Sequence, residues 1–144
     1  MFYIGFVSAV RVSEAGWRHA VGELTLGPVS ERFEADLRFW EPAEYEAQWR
    51  RAALRLLGGA PTAALVASYR GPDAAPHSLW PMWRDGAVVH VQSRLVLTEP
   101  LAGRFDPAAP EAQVGERTTA SHDGSPVSEW TVPLGQLANF ALEG

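Results

Sequence analysis

Four histidines, His19, His77, His90 and His122, are the residues of this chain best suited to chemistry near neutral pH. An imidazole can take or give a proton there, and two of them can divide general-acid and general-base work. His19 and His90 fall in segments that read as strands, so a His19/His90 pair is the one acid–base arrangement on offer. It would describe a small metal-independent enzyme. His77 and His122 fall in expected loops. No two histidines stand at metal-ligand spacing and no H-E-x-x-H run occurs, so no metal site is assigned. Ser121-His122-Asp123 contains the residue types of a nucleophilic triad, but adjacency in sequence is not triad geometry. The chain has no cysteine, which excludes a disulfide framework, a thiolate zinc site and a cysteine nucleophile together. All 12 basic residues are arginine, leaving no lysine for a phosphoryl transition state, and no G-x-S-x-G, P-loop or G-x-G-x-x-G run is present. Support for catalysis is therefore generic, and neither catalytic residues nor cofactors are assigned.

Binding chemistry is better represented. Six tryptophans are present, and Trp49 and Trp40 belong to or adjoin an apolar helix stripe, which marks them as core. Trp80 and Trp83 stand at odd spacing in one strand. They are expected on opposite faces, so one of them could be exposed as a sugar platform or adaptor contact. The acidic residues are unevenly placed. Glu31, Glu34, Asp36, Glu41, Glu44 and Glu46 face only Arg32 and Arg38 within the same stretch, which concentrates most of the chain's net charge of -5. A solvated face with helix-dipole matching would account for this. So would a docking surface for a basic protein, with Glu34, Asp36, Glu44 and Glu46 as the candidate contacts.

The elements that must position these residues follow from hydrophobic period. Phe2, Ile4 and Phe6 alternate in a first strand, and Trp17 to Leu26 forms a second, joined through a short hairpin turn. From Glu31 to Trp40 one face carries Phe33, Ala35, Leu37 and Phe39 and the other Glu34, Asp36 and Arg38, the mark of a half-buried antiparallel strand. Pro42 opens an amphipathic helix of about four turns. Its stripe is Tyr45, Trp49, Ala52, Ala53, Leu56 and Leu57, and Gly58-Gly59 with Pro61 stops it. Ala63 to Tyr69 is a buried strand, and Gly71–Pro76 a loop. Asp85-Gly86 predicts a type I′ hairpin between Ser78–Arg84 and Ala87–Leu97. A connector runs from Glu99 to Pro110. A last hairpin is expected from Glu116–Ser121 and Val127–Val132 about Asp123-Gly124, and Pro133 starts a short closing helix with Leu134, Leu137, Phe140 and Ala141 inward. The fold class expected is α+β: an antiparallel β-sheet with one long amphipathic helix packed on it and a short C-terminal helix. Residues 1–144 form one domain, a length at which a single core suffices. The acidic balance argues against direct nucleic-acid binding. No stretch has the apolar length of a membrane helix, and the N-terminus lacks the marks of a secretory signal. A cytoplasmic protein is expected.

The run from Trp40 through Glu41-Pro42-Ala43-Glu44-Tyr45-Glu46-Ala47-Gln48-Trp49 to Ala52 resembles the W-x4-Y-x2-QW-x2-A helix signature of immunity proteins from contact-dependent growth inhibition systems, the CdiI type. Met1-Phe2-Tyr3-Ile4, Gly22–Gly27 leading to Phe33, Leu65–Tyr69, the Trp80–Leu97 hairpin and Ser128-Glu129-Trp130 follow the same pattern in order. The resemblance implies a non-enzymatic protein that stays in the producing cell's cytoplasm. Its partner would be the cognate C-terminal toxin domain of a CdiA-type effector, often a nuclease and then basic. The signature marks the scaffold rather than toxin contacts, which must differ between immunity proteins to give specificity.

Overall fold

The computed structural model describes residues 1–71, 77–96, 106–120, 124 and 127–143. Its strands form two antiparallel sheets. In the first, β3 (Arg18–Leu26) is central. Along one edge it pairs with β1 (Phe2–Phe6) and then β2 (Arg11–Val12), and along the other with β4 (Val29–Asp36). In the second, β5 (Thr62–Ser68), β6 (His77–Asp85), β7 (Val88–Gln92) and β9 (Glu129–Pro133) lie in that order, with β8 (Arg94–Val96) continuing β7 along β6. The helix α1 (Pro42–Leu57) links the sheets, and α2 (Leu134–Glu143) closes the chain. This is the α+β class that the periodicities predict, with the ladder divided in two.

The division follows from where the apolar period stops. Ala35 and Leu37 are buried, but β4 ends at Asp36, and Phe39 is 53% exposed instead of continuing the inward face. Past Asp36 the chain turns into α1, whose N-terminus is held by the Glu44 carboxylate accepting from the Glu41 N–H at 3.0 Å. The helix stripe is buried at Tyr45, Trp49, Ala52, Ala53 and Leu56, against β5 and the inner residues Phe2, Ile4, Leu24 and Ala35 of the first sheet. From α2, Leu137 and Ala141 enter the same core, and Phe140 meets Phe2 edge to face at 5.4 Å.

Several turns and faces differ from expectation. The β6–β7 loop is Gly86-Ala87, since Asp85 pairs with Val88, and only Gly86 has a positive φ, at 61°. A type I′ turn needs positive φ at both central residues; glycine followed by a residue at negative φ is the type II′ pattern. Gly27-Pro28 between β3 and β4 repeats it, with Gly27 at 63°. His77 opens β6 fully buried rather than lying in a loop. Trp80 and Trp83 are both buried, at 6% and 7% exposure, because β6 is covered on both faces. Trp80 packs on Trp130, while the Trp83 indole donates to the Gly115 carbonyl at 3.0 Å beneath Arg94. The sugar platform built on either residue is thereby withdrawn. Residues 116–119 form no strand, and the expected hairpin is reduced to the Val127 N–H donating to the Thr119 carbonyl at 3.1 Å. β9 pairs with β7, and Thr118 gives its carbonyl to the Gln92 amide. The expected loop at 72–76, most of the 99–110 connector and the Ser121-His122-Asp123 group lie outside the described residues.

Candidate functional site

The two strand histidines do not meet. His19 is on β3 of the first sheet, paired with Asp36, whereas His90 is on β7 of the second. The His90 imidazole reaches Thr131 Oγ1 at 3.0 Å and stands 3.6 Å from Asp85 and 3.8 Å from Glu129, each a local cross-strand or turn contact. Among the described residues no group of three or more histidine, aspartate or glutamate side chains could hold a metal ion.

The four acidic candidates separate into two places. Glu34 and Asp36 project from β4 beside a cleft of about 540 Å³ whose walls include Trp17, Arg18, His19 and Arg70. Glu44 and Glu46 are on the first turns of α1, and Glu44 borders a different hollow with Trp40, Ala47 and Arg51. Their electrostatic states differ too. Burial opposes ionisation of Asp36, but the Arg38 side chain and N–H and the nearby Arg70 charge outweigh it and hold the carboxyl below its usual range. Arg38 reaches Asp36 through Nε at 3.0 Å and Nη2 at 2.7 Å, while Arg70 stands 4.0 Å away. Glu41 is gripped bidentately by Arg18 at 2.6 and 2.9 Å, which lowers its pKa as well. Tertiary structure thus brings two more arginines, Arg18 and Arg70, to the acidic stretch and halves its local excess. Glu34 and Glu46 are exposed and have no ion pair among the described residues.

Arg18 and Arg70 were not singled out from sequence, and neither was Trp17 as a surface group. Trp17 is 50% exposed, with the Arg38 guanidinium stacked 4.3 Å from its ring. The local signal was present in Gly16-Trp17-Arg18, a large aromatic at the mouth of a tight turn, where no strand partner can cover it.

A second cluster is built by α1 against the outer edge of β5. Successive strand residues aim their backbone groups at alternate edges. Ala63 and Leu65 point to β6, leaving Thr62, Ala64 and Val66 directed outward. Side chains of α1 meet four of their backbone groups. Arg55 donates to the Thr62 carbonyl at 2.9 Å, and the Gln48 amide donates to the Ala64 carbonyl at 2.7 Å. Gln48 also accepts from the Val66 N–H at 2.8 Å, while the Trp49 indole donates to the Val66 carbonyl at 2.8 Å. Beyond them the Tyr45 hydroxyl donates to the Asp36 carbonyl at 2.6 Å and accepts from the Tyr69 N–H at 2.9 Å, tying β4 to the end of β5. Burial holds the phenol well above its ordinary pKa, so it stays protonated and able to donate. Trp40 closes the top against Tyr45 and Tyr69, at ring separations of 5.1 and 5.3 Å.

A family model described as the CdiI N-terminal domain matches residues 35–140, which include both of these clusters save Trp17, Arg18, His19 and Glu34. The chain belongs to the CdiI N-terminal domain family. Immunity protein CdiI of Enterobacter cloacae subsp. cloacae is 24% identical over 118 residues, covering 81% of this chain and 81% of that protein. A solved structure of a CdiA-CT/CdiI toxin and immunity complex from Enterobacter cloacae contains a chain that matches with a TM-score of 0.89 at 23% identity. The match covers 99% of this chain and 97% of that one, and it shows a shared fold. The CdiI-type helix signature acquires a physical reason here. Its Trp, Tyr, Gln and Trp are Trp40, Tyr45, Gln48 and Trp49, the residues that seal the β5 edge and join the sheets. An unsealed edge would be a template for pairing with other chains.

Proposed function

We propose that this chain is a cytoplasmic immunity protein that neutralises the C-terminal toxin domain of a CdiA-type effector by stoichiometric binding, without catalysing a reaction. Membership of the CdiI N-terminal domain family over residues 35–140 carries this reading. The separation of His19 and His90 onto different sheets removes the acid–base pair that favoured an enzyme. The toxin domain is a nuclease with a basic surface. A chain of net charge -5 suits such a partner. Of the four acidic candidates, Glu34 supplies an acceptor, unpaired among the described residues, for its Lys or Arg side chains; Glu44 and Glu46 add to the acidic field, and Asp36 is engaged by Arg38.

Co-expression tests the reading. The toxin domain encoded beside this chain is induced in cells with and without it, and nucleic acid is recovered for degradation assays. Growth and intact nucleic acid only when the chain is present are the expected result, with a one-to-one complex on purification. Full toxicity in its presence would overturn the immunity assignment. Neutralisation with no nucleic-acid cleavage by the free toxin would overturn the nuclease alone.

A further inference from the structure

Trp17 is the one described tryptophan left half in solvent, and a cation stacks on its ring. Trp49, Trp80 and Trp83 are buried, and Trp40 and Trp130 pack partly buried against the core. The Arg38 guanidinium covers one part of the Trp17 indole at 4.3 Å, and Arg38 is held in turn by three contacts to the Asp36 carboxylate between 2.7 and 3.0 Å. Such an indole has large contact area and little freedom left to lose, which is the character of interface hot spots. It stands at the mouth of the cleft walled by Arg18, His19, Glu34, Asp36 and Arg70. Phe39, next to Arg38 in the chain, is also 53% exposed.

The charges around this cleft are nearly all spent. Arg18 is engaged by Glu41, and Asp36 by Arg38 and Arg70. The carboxylate left without an ion partner among the described lining residues is Glu34. A partner of complementary chemistry therefore places a lysine or arginine stem along the indole and its charge on Glu34. An acidic partner would meet Glu34 unopposed.

Resting on the immunity reading above, we infer that the cognate toxin domain docks in the Trp17 cleft through a basic side chain that stacks on Trp17 and pairs with Glu34. The acidic turn of α1, with Glu44 and Glu46, then lies outside the centre of the interface.

Binding of the purified toxin domain to the full chain, measured by calorimetry, tests this with the variants Trp17→Ala, Glu34→Gln and Glu46→Gln. Thermal melts accompany each variant as a check on folding. Trp17→Ala is expected to weaken binding by ~30-fold or more, the range of a hot-spot truncation. Glu34→Gln is expected to weaken it several-fold and to flatten its salt dependence, with Glu46→Gln within about two-fold of wild type. Trp17→Phe should recover most of the affinity, because a stacking face remains. Tight wild-type binding unaffected by Trp17→Ala and Glu34→Gln would overturn the cleft and leave the immunity reading standing. A wild-type chain that does not bind the toxin domain would overturn both.

Discussion

The outer edge of β5 and the cleft beside β4 are joined where Tyr45 bonds the Asp36 carbonyl, and they treat polar groups in opposite ways. At the β5 edge four outward backbone groups between Thr62 and Val66 are met by side chains of α1, with Gln48 and Trp49 buried and Arg55 at the exposed end. At the cleft the Arg18–Glu41 pair faces solvent, an indole is half exposed and Glu34 has no ion partner among the described residues. The first region uses specific hydrogen bonds to finish a fold, where a missing partner would leave a desolvated backbone group. The second pairs most of its charges internally and leaves Trp17 and Glu34 open, which suits a surface completed by another protein. Residues that identify the family can therefore be silent in recognition, and residues that recognise can be silent in the family signature.

Trp49→Ala should break the contrast most visibly. It removes a fully buried indole and its bond to Val66, so a loss of about 3–5 kcal/mol is expected in urea unfolding. Gln48→Ala leaves the Ala64 carbonyl and Val66 N–H unpaired in the interior, for a loss of about 1–3 kcal/mol by the same measurement. Toxin affinity of either variant, measured while it is still folded, should stay close to wild type. A large loss of affinity at unchanged stability would place recognition on α1 and dissolve the distinction. Tyr45→Phe sharpens the boundary between the regions. It removes the hydroxyl bridging Asp36 and Tyr69, so about 1–2 kcal/mol is expected to be lost in thermal or urea unfolding.

Acid should act on the cleft side and at Glu129 of β9, whose carboxyl Arg117 and the Gln92 amide hold below its usual range. The folded pKa of Asp36 lies below its ordinary 3.8, so its contribution is complete above that value and disappears as pH falls through the folded one. Glu41 follows the same sign from 4.5. The melting temperature of wild type is therefore expected to fall below about pH 4, and Asp36→Asn should reduce that slope; an unchanged slope would show that the Arg38 contact adds nothing to folding. The smallest effect expected is that of Trp17→Ala on stability, within about 0.5 kcal/mol by urea unfolding, as for a surface residue. A larger loss would turn Trp17 from a recognition group into a structural one.

Most of the fold was legible because period and punctuation are local. Phe2 and Ile4 alternate into the core, α1 begins at Pro42 and ends before Gly58-Gly59, and Leu137 and Ala141 form the inward stripe of α2 as their spacing requires. Errors arose where a neighbour distant in sequence covers a face. Trp80 and Trp83 were expected to include an exposed residue because strand alternation says nothing about whether both faces of a sheet are covered. The turn at Gly86 shifted by one residue because Asp85 is spent on pairing with Val88.

Sequence alone determined most element types, the helix and its apolar stripe, the family resemblance and the crowding of acids between Glu31 and Glu46, since each depends on residues within a few turns of one another. Only tertiary structure decided what those residues meet. It set Arg18 on Glu41 and Arg70 near Asp36, placed the acidic strand and the acidic helix turn beside different hollows, and turned Gln48 and Trp49 toward a strand edge 16 and 17 residues away in the chain. Charge and hydrogen-bond partners act through space over a few ångströms, whatever their separation along the chain, so a run of like charges becomes a surface only when the fold has chosen its neighbours.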